Sequence, residues 1–266
     1  MKQFISFIAF LCFVSIAMAQ VRVEYTPGQP KLKGHIKQII EYNYINPRNI
    51  DSLKNPIKTI KNFDEKGDQL DEITYNKLGN LESKTVFDNS KDNTVIHSLY
   101  DSKGNLTFKT ISKYDNHGLE IESGSYSDET VPSVPDYAKF KIIYKYDDKD
   151  NVIETDTYSE GNKLSAKETF IYNENHQIIE DRLTDYLPNG VSKTTHFLQY
   201  DLDGNRITSK RYLSNGDLKI EDISLYSNLD LQGNWLTLTD ENKVYGTAGR
   251  PMLIMTITKR EITYFQ

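Results

Sequence analysis

One short pattern recurs along this chain and limits its fold more than any other feature. It reads aromatic, Asp or Asn, two variable residues, Gly, then Asn or Asp, as in Tyr100-Asp101-Ser102-Lys103-Gly104-Asn105. Copies begin at Phe63, Tyr75, Tyr100, Tyr114, Tyr200 and Tyr212, an altered copy begins at Leu229, and looser ones at Phe87, Tyr146, Tyr172 and Tyr186. The starts lie mostly about 12 to 14 residues apart. The Asp or Asn side chain accepts hydrogen bonds from amides two or three residues on. Gly then takes a left-handed conformation and completes a type I turn with a bulge. Asp150 and His176 stand in the Gly slot of two copies, and both residue types tolerate positive φ. Lys91 does not, so a different turn is expected after Phe87.

Between turns the residues alternate with period two, as in Leu106-Thr107-Phe108-Lys109-Thr110-Ile111, which predicts strands. The spacing leaves about seven or eight residues per strand and roughly fifteen strands after Leu32. An open twisted sheet rarely exceeds about ten strands without curling. The expected fold is therefore all-β: one curled antiparallel meander, an open half-pipe or spiral. In Phe140 to Tyr146, the face with Phe140, Ile142, Tyr144 and Tyr146 is expected to be the concave, better-buried one. Two proline-bearing stretches interrupt the rhythm, a loop at 45–57 and an insertion at 127–137. The expected organisation is a signal peptide at 1–19, N-terminal strands and a loop at 20–62, and the repeat array at 63–266, with the last two in one sheet.

The copies at Tyr100 and Tyr200 resemble the YD repeat of the RHS family, as found in small exported Bacteroidetes proteins without a toxin domain. The likeness runs from about Phe63 to Trp235. It implies a spiralling β-sheet in the envelope or exterior. A separate C-terminal effector domain is not expected, so toxin delivery is not implied. Asp51-Ser52-Leu53 matches the short O-glycosylation pattern of such bacteria.

The first residues read as an address. A basic start at Lys2 precedes an apolar run from Phe4 to Ile16, and Ala17-Met18-Ala19 supplies the small residues that a signal peptidase reads. Export to the periplasm, cell surface or exterior is expected. Cys12, the one cysteine, lies in that run, which leaves the remainder without thiol or disulfide chemistry. The net charge of -6 opposes binding to nucleic acid. A mean hydropathy of -0.61 points to a soluble protein with much exposed surface, and charges on both strand faces argue against a membrane barrel. So do strands shorter than the 9–11 residues that such a barrel needs.

Catalytic signatures are lacking. The five histidines show no ligand spacing, and the Asp201-x-Asp203-Gly204-Asn205 stretch departs from a calcium loop, so neither metal nor cofactor is expected. The 38 acidic residues make chance carboxylate pairs common, and no serine elbow or phosphate loop occurs. Aromatics are the remaining lead. Tyr75, Tyr100, Tyr114, Tyr146, Tyr158, Tyr172, Tyr186, Tyr200 and Tyr212 form a ladder if they share a face. Buried, the ladder is core; exposed, it stacks sugars or extended peptides. Candidate ligand-binding residues are Trp235, Tyr100, Tyr114, Tyr200 and Tyr212. The expected role is a non-enzymatic scaffold that holds an envelope protein, with glycan binding by an aromatic face as the alternative and a polysaccharide- or peptidoglycan-acting enzyme more distant.

Overall fold

A computed structural model describes residues 32–46, 54–125, 140–246 and 250–266. The expected signal peptide, Ser52 and the 127–137 insertion fall outside them. Sixteen strands follow one another. The first quarter holds β1 (Ile36–Ile45), β2 (Ile57–Phe63), β3 (Gln69–Tyr75) and β4 (Leu81–Lys91). Next come β5 (Thr94–Asp101), β6 (Leu106–Tyr114), β7 (Glu120–Ser125) and β8 (Phe140–Tyr146). Then follow β9 (Val152–Ser159), β10 (Lys163–Tyr172), β11 (Ile178–Leu187) and β12 (Gly190–Tyr200). The last are β13 (Arg206–Leu213), β14 (Leu218–Leu229), β15 (Trp235–Val244) and β16 (Met252–Tyr264).

Every strand pairs antiparallel with its sequence neighbours, and β16 returns to pair with β1 from Ile36↔Tyr264 to Ile45↔Thr256. The sheet is therefore a closed barrel of sixteen strands, and the expected open half-pipe is corrected. Closure satisfies the two edges that an open meander leaves to water or to other chains. The strand count rises from about fifteen to sixteen, and eight strands reach ten residues or more. The strand-length argument against a membrane barrel therefore fails.

The turns follow the chemistry read from the repeat. Nine hairpins among the described residues close alike, by two backbone hydrogen bonds: Asp64 N donates to Asp68 O at 2.9 Å and Gly67 N to Asp64 O at 3.0 Å in the first. In eight of them the leading Asp or Asn also accepts through Oδ1 from amides two and four residues on. Asp201 does so from Asp203 at 3.0 Å and Asn205 at 2.8 Å. Asp150 and His176 take φ of 62° and 59° in the Gly slot. The strand after Phe87 ends instead in a two-residue turn with Asn93 at φ 55°. The copy led by Leu213 has the backbone bonds but no acceptor side chain at its first position. Leu213→Asp is therefore expected to raise stability by about 0.5–1 kcal/mol in urea unfolding, since it restores the missing acceptor.

The inner face is identified by burial. The described elements are wall strands and their connections, and none lies over the outer surface. Large apolar side chains such as Ile39, Ile142, Tyr144, Leu198 and Leu238, at most 8% exposed, then point inward, whereas Asp156, 6% exposed, is outer and is covered by Lys145 and Lys167. Cross-strand partners share a face, which extends this assignment around the ring through the registers. Phe140, Ile142, Tyr144 and Tyr146 are inner, as the alternation suggested.

The tyrosine ladder divides between the two faces. Identical hairpins at opposite ends of a meander are related by a half-turn about an axis lying in the sheet, and that half-turn exchanges the faces. Tyr114, Tyr146, Tyr172 and Tyr200 precede turns at one end and point inward. Tyr146, Tyr172 and Tyr200 donate their hydroxyls to the carbonyls of Glu120 (2.6 Å), Val152 (2.8 Å) and Ile178 (2.7 Å), each one hairpin back. Tyr75, Tyr100 and Tyr212 precede turns at the other end and point outward.

Candidate functional site: the charged lumen and the outer wall

Apolar core is sparse for a chain of this length. Among the described residues, Ile36 with Ile39 and Phe63, and Ile142 with Tyr144 and Val152, form small clusters, and Ile96, Leu198, Trp235 and Leu238 are buried outside them. An eight-stranded barrel is about as wide as its own side chains can fill, whereas rings of 16–18 strands leave room for water. Most of the remaining inner face is polar or charged.

Three inner clusters stand out. In the first, Arg260 Nε donates to Glu41 at 2.6 Å, and its guanidinium carbon lies 3.5 Å from the Trp235 ring centroid. Lys61 Nζ lies 3.6 Å from Glu41 and 3.8 Å from Glu72. Burial pushes the Glu41 carboxyl up, but Lys61 and Arg260 together outweigh it and hold the group below its ordinary range. In the second, His196 Nδ1 is 2.8 Å from Asp181, beside Glu168 and Asp185. Burial and then the Asp181 charge raise Glu168, against the pull of Arg211. Arg211 lies three strands away on β13, and it acts on Glu168 because the wall curves around both. In the third, Glu120 is 1% exposed. Burial pushes its carboxyl up to about 8, only partly opposed by the Ser112 and Ser123 hydroxyls. Glu120 Oε2 and the Tyr114 hydroxyl are buried without a protein partner.

The outer face is also charged. Lys145 and Lys167 bracket Glu154 and Asp156, with Lys167 at 2.7 Å from Glu154 and 3.1 Å from Asp156. Lys210, Glu221, Lys243 and Glu241 make a second chain across β13 to β15, at 3.1, 3.5 and 3.1 Å in turn. Lys113 pairs with Glu122 at 2.7 Å. Apolar outer residues are flanked by charge along their strands, as in Lys141-x-Ile143-x-Lys145 and Lys109-x-Ile111-x-Lys113. A membrane barrel instead carries an apolar band about 25 Å tall. No helix among the described residues is long and apolar enough to cross a membrane, which does not bear on strands.

The five candidate ligand-binding residues are not brought together. Trp235 is inner and 3% exposed, under Arg260 and against Tyr226 at 5.5 Å between ring centroids. Tyr114 is inner beside Glu120, and Tyr200 is inner at the rim. Tyr100 and Tyr212 are on the outer wall, Tyr212 with its ring 5.8 Å from Phe197. Sequence reasoning missed Glu41, Glu120, Glu168, Asp181, His196 and Arg260 as lumen residues. Their signal was position: Glu168 alternates with Ala166 and Phe170 on the same face as the apolar residues.

No protein-family model and no curated protein matches the chain. Among solved structures, it is similar to a porin-like protein from Bacteroides uniformis, with a TM-score of 0.55 and 10% identity over 86% of this chain and 98% of that one. That likeness is one of fold. With the closed ring, it corrects the resemblance to the YD/RHS family. The Asp-x-x-Gly turns are present, but the sheet closes into a ring like that of the porin-like neighbour, because a local turn motif does not decide whether a sheet meets its own first strand.

Proposed function

We propose that this protein is an exported, non-catalytic binding barrel that works in the aqueous phase, with its polar lumen as the vessel for a solute or partner segment. The observation that carries this reading is ion pairing on both sides of one wall. Each Lys or Arg facing lipid at mid-membrane costs about 2–4 kcal/mol, and the outer wall presents Lys167 and Lys210 in mid-strand, with Lys113, Lys145 and Lys243 each one residue from a strand end. The earlier scaffold reading survives only in part: a closed ring offers no free strand edge for a partner, which leaves its faces. A second reading, a channel in the outer membrane, is favoured by the sixteen-strand ring and by the porin-like neighbour.

Detergent-free refolding beside lipid vesicles separates the two. The barrel is expected to stay in the supernatant after vesicle flotation and to add no conductance to a planar bilayer. Co-flotation with protection of the outer lysines from acylation, together with stepwise conductance, replaces the aqueous reading with the channel.

A further inference from the structure

We infer that the outer wall carries a saccharide-binding trough at the seam where the ring closes, with an acidic sugar as its ligand. It opens on the outer face of the wall, with Arg260 common to its lining and the lumen's, and it rests on the aqueous reading above, because lipid against the outer wall would cover it. The trough is an open concavity of about 490 Å³ whose lining includes Tyr42, Tyr44, Asn228, Thr237, Lys259 and Glu261. The registers explain its composition. Tyr42 opposes Lys259 and Tyr44 opposes Ile257 across β1 and β16, and Thr237 opposes Lys259 across β15 and β16. All therefore project from one outer patch. Tyr42 and Tyr44 are two residues apart on one strand, so their rings stand side by side as a platform two rings long.

Three features point to a sugar. A shallow aromatic platform suits the flat C–H face of a pyranose, which packs on a ring while its hydroxyls stay wet. Asn228 and Thr237 supply donors and acceptors along the platform's edge. Charge sets the type of sugar. Within a chain of net charge -6, this patch holds Lys259 and, beside it, Lys58, whose ammonium groups lie 5.8 Å from the Tyr44 centroid and 5.9 Å from the Tyr42 centroid. The neighbouring carboxylate of Glu261 is engaged by the Tyr42 hydroxyl, whose proton is held more tightly by burial and by that partner. A uronic acid unit can take both lysines on its carboxylate while its ring replaces them over the tyrosines.

The test is titration of the purified barrel with tetragalacturonate and with cellotetraose, followed by calorimetry and by tyrosine fluorescence. The expected result is saturable binding of the uronate tetramer at least tenfold tighter than the neutral one. The double variant Tyr42→Ala/Tyr44→Ala abolishes it, Lys259→Ala weakens it five- to tenfold and flattens its salt dependence, and Tyr44→Phe retains it. Circular dichroism melting of each variant, expected to match the parent, separates a lost platform from a lost fold. No saturable binding of either tetramer at millimolar concentration, by barrel that stays in the supernatant on vesicle flotation, overturns the inference, whereas co-flotation overturns the aqueous reading instead. Equal binding of both tetramers, or uronate binding untouched by the double variant, also overturns the inference.

Discussion

Arg260→Ala is expected to cost about 3–5 kcal/mol of unfolding free energy, the range for breaking a buried ion pair from one side. Arg260 holds Glu41 at 2.6 Å and covers the indole of Trp235. Its removal leaves a buried carboxylate with only Lys61 at 3.6 Å, and opens a gap over the largest aromatic ring of the lumen. The check is urea unfolding followed by Trp fluorescence, since Trp235 is the chain's one tryptophan. Arg260→Met in a Glu41→Gln background is expected to recover most of the loss, because the pair is then replaced by groups of similar volume that leave no charge behind. If the single variant loses less than about 1 kcal/mol, the range of an exposed pair, the lumen around Glu41 is solvated like the outer wall.

The second large effect is on pH dependence. Glu120 titrates near 8 in the fold and near its ordinary value of 4.5 when unfolded. A raised folded value means that the unfolded chain releases this proton first. The group's contribution is thus fully present below about pH 4.5 and lost as pH rises toward 8, at a total on the order of a few kcal/mol. Glu168 is raised in the same direction. The melting temperature is expected to fall across pH 5 to 8, and Glu120→Gln is expected to flatten part of that slope and to raise the melting temperature at pH 8. A slope unchanged by Glu120→Gln removes Glu120 as its source.

What could be read from the sequence was what depends on neighbours in the chain. Asp64 or Asp201 makes its turn with atoms at most four residues away, so the pattern is legible in the letters. The inward face of β8 was legible for the same reason, since alternation is local. Closure was not, because it depends on the sum of many small twists and staggers around the ring. The tyrosines misled because the repeat is periodic in sequence while its placement alternates in space: Tyr100 and Tyr114 hold the same place in their turns yet face opposite sides. The pairing of Asp181 with His196 was hidden because it needs the β11–β12 register. His196 alone reads as one solvated ring among five.

The seam between β1 and β16 has a kinetic consequence. Thr258 Oγ1 donates to Asn43 across 215 residues of chain, and the same seam runs from Ile36 to Ile45. All other ladders join strands that are consecutive in the chain and can zip as soon as both are present. The seam cannot form until the last strand has been made and delivered, so the loop-closure entropy of nearly the whole barrel falls on one late step. Until then the curved wall has two unpaired edges of ten and thirteen residues, each able to pair with a second copy. Folding is expected to be slow, to be limited by this docking, and to lose yield to strand-exchanged oligomers as protein concentration rises.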